Sequence, residues 1–222
     1  MVEVIETTCR IYFKNIVACL IGAVLLAVCA GVAVGVAMAA VLGLSSPAIS
    51  DPETKRIMTY GVYVLLFALV VWLHVGFLAY MLNIARGEKS QISDLFSAGV
   101  VWVQALMLSA LQAGLIAGCA FGAAELSAPI LYLPGVVAAL LLEPAKLVLL
   151  DRDTGVIDAV ASAARLAASN ILPVGALFPL GVVGLALTCF ITFGIGAPIF
   201  VPFFTLLYAV TFLRVTEQRA GE

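Results

Sequence analysis

The chain has 222 residues, 64% hydrophobic and 11% charged, with a net charge of -2 and a mean hydropathy of +1.20. Soluble domains carry about a quarter charged residues and about half apolar ones, so the apolar surface here exceeds what one water-exposed core can bury. Lipid must cover the rest. The balance of charge lacks the basic footprint of a nucleic-acid binder, and no polar stretch is long enough to make a separate soluble domain. One all-α integral membrane domain over 1–222 is the expectation.

The first apolar run extends from Ile16 to Leu44. Arg10 and Lys14 precede it, and Ala37-Met38-Ala39 has the small-residue form of a signal-peptidase site. The run is 29 residues long, against about 7–15 for a signal h-region, and Glu3 and Glu6 spoil a basic leader. It reads as an uncleaved helix. Ala23, Ala27, Gly31, Gly35 and Ala39 put a small residue at every fourth position. Small residues let helix backbones approach closely in lipid. The stripe is a helix-packing or dimerisation face, or else a by-product of alanine-rich composition.

Crossing ~30 Å of hydrocarbon takes about 20 helical residues. Further runs of that kind fall at about 57–84, 95–123, 127–150, 170–192 and 197–213, which makes six spans. The break at 194–198 is uncharged and is the weakest boundary, so separate crossing by the last two runs stays open. With the N-terminus inside, Arg10, Lys14, Arg86, Lys89, Lys146, Arg152, Arg165, Arg214 and Arg219 fall on the cytoplasmic side. Lys55 and Arg56 alone fall outside. That bias predicts both ends in the cytoplasm. Prolines are absent from the first three spans, whereas Pro129, Pro134, Pro144, Pro173, Pro179, Pro198 and Pro202 crowd the rest. A proline-kinked second half follows, with Pro134-Gly135 as the expected break in the fourth span. Such breaks build midplane sites in transporters, or they only tilt a helix.

Ionisable groups inside lipid are costly and are therefore functional candidates. Glu143 and Lys146 lie three apart on one helix face, placed to neutralise each other or to form a polar gate. His74 sits mid-span and reads as an interhelical hydrogen bond or a proton relay. Gln104 and Gln112, eight apart, read as interhelical glue. The five cysteines, Cys9, Cys19, Cys29, Cys119 and Cys189, form no close pair and lie apart from His74. That spacing predicts packing residues and no metal site. Asp151 and Asp153 flank Arg152 without a third ligand, which favours helix capping over metal binding. No H-E-x-x-H, G-x-S-x-G, Walker A or G-x-G-x-x-G pattern occurs. An enzyme is the least supported class, and no cofactor is predicted.

Residues 154–169 form a predicted amphipathic helix on the inner membrane surface, capped by Asp153 or Thr154. Asp158, Ser162, Arg165 and Ser169 make its polar side; Ile157, Val160, Ala161, Ala164 and Ala168 make the other. It either connects two spans or offers Asp158, Ser162 and Arg165 to a partner.

Asn83-Ile84-Ala85-Arg86-Gly87-Glu88-Lys89 leads on to Ser93-Asp94-Leu95-Phe96. Later come Leu133-Pro134-Gly135-Val136-Val137, then Asp158-Ala159-Val160 with Ser162, Arg165 and Asn170. In these stretches, and in layout over about 8–217, the chain resembles bacterial six-helix membrane proteins akin to the membrane domain of glycerophosphodiester phosphodiesterases. Ala161 departs from that pattern, where a charged residue is usual. The resemblance implies a six-helix bundle with an accessory role and no catalytic residues. The expected function is a non-enzymatic accessory or scaffold protein of the cell (inner) membrane, binding lipids, a membrane partner or a second copy. The alternative is a small transporter or permease subunit, motivated by the prolines, Glu143 with Lys146, and the surface helix.

Overall fold

The computed structural model describes residues 2–44, 51–97, 99, 101–125, 130, 132–152, 154–170 and 196–220. These form α1 (Val2–Lys14), α2 (Ile16–Leu44), α3 (Pro52–Arg86), a 3-10 helix (Ile92–Phe96), α4 (Trp102–Glu125), α5 (Tyr132–Arg152), α6 (Val156–Ser169) and α7 (Ala197–Ala220). No strand occurs among the described residues. Four of these helices are long and apolar enough to cross a membrane: α2, α3, α4 and Ala197–Thr216 of α7. The described residues are thus those of a helical membrane protein. The expected span at 170–192 lies mostly outside the described residues, and α5 covers most of the one expected at 127–150.

Helix α3 starts five residues before its apolar run. The Asp51 carboxylate accepts from the backbone N–H groups of Glu53 and Thr54. Pro52 follows at the first position, where no N–H partner is needed. Gly87 ends the helix at φ 77°, a left-handed conformation that glycine takes without steric cost. The chain then folds back on α3. The Asp94 carboxylate accepts from the Gln91 backbone N–H at 2.8 Å and from the Asn83 amide at 3.3 Å, pinning the 3-10 helix against the helix it has just left. For that reason α4 begins at Trp102, later than the apolar run at 95 suggests.

This return depends on Gly76. A Cβ there would lie 1.8 Å from the Leu95 carbonyl oxygen, so any side chain collides with backbone.

Helix α1 was not legible as a separate element. It packs antiparallel along α7: Arg214 meets Glu3 at 3.2 Å near one end, and the Tyr12 hydroxyl donates to the Ile199 carbonyl at 2.9 Å near the other. Tyr12, Cys19, Phe77, Met81 and Leu206 share one buried cluster joining α1, α2, α3 and α7. A second joins α3, α4, α5, α6 and α7 through Leu82, Leu108, Leu147, Ala163 and Phe212.

Two expectations change. Pro134 does not interrupt a span: it falls in the first turn of α5, where its missing N–H has no intrahelical partner to lose. Pro144 and Pro202 are the prolines beyond the first turn of described helices. Helix α6 buries Ala159, Ala163 and Leu166, a different face from the expected apolar side, because alanine at 159 and 163 lets α5 approach closely. Ile157 is left 84% exposed, and Ala161 and Ala168 are also exposed. Its N-cap is Gly155, with no side-chain bond, in place of Thr154. Asp153 lies outside the described residues.

Gly76→Ala should lower stability by about 2 kcal/mol or more, as overpacking against backbone does. Gly31→Ala, which meets open space, should be neutral or raise it by about 0.5–1 kcal/mol. Thermal unfolding in one detergent compares the two.

Candidate functional site: a charged cluster between three helices

Glu143 stands on α5, one residue before Pro144 and on the same face as Lys146. Its two oxygens are used separately. Oε1 lies 2.8 Å from His74 Nε2 on α3, and Oε2 accepts from Lys146 Nζ at 2.7 Å. Lys146 Nζ donates also to Gln112 Oε1 on α4 at 3.1 Å. An ionised carboxylate only accepts, so Nε2 of His74 carries the hydrogen between them. The four side chains form one continuous chain of hydrogen bonds from α3 through α5 to α4.

Burial makes this arrangement consequential. Lys146 is 4% exposed, and an isolated ammonium in such surroundings is strongly disfavoured. One carboxylate beside it brings the pair to zero net charge, and the Gln112 carbonyl oxygen takes a second ammonium hydrogen. His74 closes the other side of Glu143 while its own side chain stays 41% exposed. A second ion pair, Arg86 with Asp151, ties the last residues of α3 and α5 together. Arg152 lies 3.7 Å from the same Asp151. Asp151 is therefore engaged by two arginines.

The inner face of α4 carries two more polar atoms. Gln104 Oε1 and Ser109 Oγ are buried without a hydrogen-bond partner. Thr154 Oγ1, just before α6, is likewise buried without a partner, whereas the buried hydroxyls of Thr8 and Thr211 donate to the carbonyls four residues back, as hydroxyls inside helices commonly do. Gln112 thus serves as the glue predicted for it, whereas Gln104 does not.

The remaining expected residues lie elsewhere. Of the small-residue stripe, Ala23 is buried, while Ala27, Gly31, Gly35 and Ala39 are exposed, and nothing lies within 4 Å of a Cβ built at either glycine. Within the chain, α2 meets α3 through a different line that includes Cys19, Ala33 and Ala37. Gly22 also belongs to this contact, where the Tyr80 ring lies 2.7 Å from a built Cβ. On α6, the helix that follows α5, Asp158 and Arg165 are exposed and Ser162 is half-buried, whereas the hydrogen bonds of the Glu143 cluster join α3, α4 and α5. Sequence reasoning missed the Arg86–Asp151 and Glu3–Arg214 pairs. Their only signal was opposite charge at the ends of separate helices.

No protein-family model, curated protein or solved structure matches this chain.

Gln112→Leu should cost about 1–2 kcal/mol, because it strips an acceptor from a buried ammonium. Gln104→Leu should be neutral or stabilising, since its oxygen has no bond to lose. Unfolding of the two purified variants in the same detergent reads the difference.

Proposed function

We propose that this chain is a non-enzymatic accessory or scaffold protein of a bacterial inner membrane, which binds lipid or a membrane partner. In this reading six spans put both termini in the cytoplasm, as the lysine and arginine bias requires. One observation carries it: the charged pair inside the described bundle, Glu143 with Lys146, is closed off by its own polar neighbours. Glu143 takes both His74 and Lys146, and Lys146 takes Gln112. Such a clasp fixes three helices and commits Glu143 and Lys146 to each other. The exposed apolar faces of α2 and α4 support the same reading. Only 22% and 17% of their most apolar windows are buried within the chain, so most of each faces lipid or another protein.

A second reading, a small transporter or permease subunit, draws on the buried Gln104 and Ser109 oxygens of α4, the helix that carries Gln112, and on the partly exposed His74. Polar atoms without partners at bundle depth are a feature of solute paths. It requires Glu143 and Lys146 to work and not merely to hold. Unchanged substrate-linked phenotypes in Glu143→Gln and Lys146→Met cells would remove it.

Native mass spectrometry of the protein extracted from its own membrane separates the two readings. The accessory reading expects a stable added mass from a defined lipid or second protein. A bare monomer in gentle detergent counts against it and shifts weight to transport.

A further inference from the structure

A groove of about 590 Å³ runs between α2 and α3. Val32, Ala33 and Val36 form one wall, and Leu65, Leu69 and Trp72 form the other. Its α2 side extends from Val28 to Ala40, which at 1.5 Å per residue is about 18 Å. One leaflet's half of a ~30 Å hydrocarbon core is ~15 Å, so the groove has the length of one lipid tail. Trp72 and Phe96, with ring centroids 5.6 Å apart, stand at its deep end.

The other end points toward the start of α3. Lys55, Val62 and Leu69 recur every seventh residue and so share one helix face, which places Lys55 about 10 Å beyond Val62 on the line of the groove. Arg56 follows it. Neither cation forms an ion pair among the described residues. The Asp51 carboxylate caps α3, and Glu53, two positions before Lys55 and three before Arg56, forms no ion pair with either among the described residues.

We propose that this groove holds one acyl chain of an anionic phospholipid, with the phosphate held by Lys55 and Arg56. The proposal rests on the lipid-binding form of the accessory reading and names its site and ligand class. An anionic headgroup fits better than a zwitterionic one, because it brings no second cation toward Lys55 and Arg56. Each basic residue near a membrane surface strengthens attraction to anionic lipid about fivefold.

The test uses the full chain, purified and stripped in mild detergent, then mixed with equal phosphatidylglycerol and phosphatidylcholine of the same acyl length. Native mass spectrometry should find one phosphatidylglycerol retained per chain, preferred about tenfold or more. Lys55→Gln with Arg56→Gln should abolish the preference while leaving phosphatidylcholine retention as it was. Val36→Trp, at an exposed position on the groove wall, should reduce retention of both lipids. Equal retention of the two lipids by the unaltered chain would overturn the proposal. So would a chain that holds lipid yet ignores both sets of substitutions, an outcome that spares the accessory reading. A chain bare of lipid and of protein partner in every preparation would sink both.

Discussion

An ammonium buried in an apolar bundle is tolerable only beside a compensating charge, and the packing of α3, α4 and α5 is organised around that need. Lys146 cannot be left in lipid, so Glu143 must stay within hydrogen-bond reach. Glu143 in turn accepts from His74 on α3, and Lys146 reaches Gln112 on α4. Three helices that share only apolar surface could slide past one another, because lipid tails solvate leucine as well as a neighbouring helix does. A directional polar link gives them one register. The Arg86–Asp151 pair repeats the device where α3 and α5 end.

The rest of the fold follows a different rule. Helix α2 has no charged residue between Ile16 and Leu44 and meets α3 without an ion pair. Gly22 admits the Tyr80 ring, the Tyr80 hydroxyl donates to the Ala18 carbonyl at 2.9 Å, and Cys19 is fully buried beside them. Farther along, the groove runs on the outside of this same seam, ending at Trp72 and Phe96. One part of the protein is therefore locked by polar bonds, while another presents apolar surface to whatever surrounds it.

The sequence was most readable where one physical signal dominated. Twenty-nine uncharged residues could only be a long helix, and α2 matches its predicted limits of 16 and 44. Glu143 and Lys146 at three-residue spacing announced a pair. Asp51-Pro52 marked a helix start, yet the polar turn after it hid that start from hydropathy. Helix α1 was obscured for a similar reason: Thr8 and Tyr12 form its buried side, and its partner on α7 is nearly 200 positions away. The small-residue stripe was visible, but periodicity on one helix does not reveal which of its faces a neighbour takes. On α2 the neighbour takes Ala33 and Ala37, and on α6 it takes Ala159 and Ala163. Alanine is common enough in both helices to permit several such choices.

The central claim is that Glu143 and Lys146 hold the bundle together as a neutral pair. A double-mutant cycle on Glu143→Gln and Lys146→Met, read by unfolding in one bilayer mimic, tests it most directly. Each single change should cost about 3 kcal/mol or more, because it strands the other charge, and the combined change should cost less than either alone. A combined loss equal to the sum of the two single losses would contradict the account.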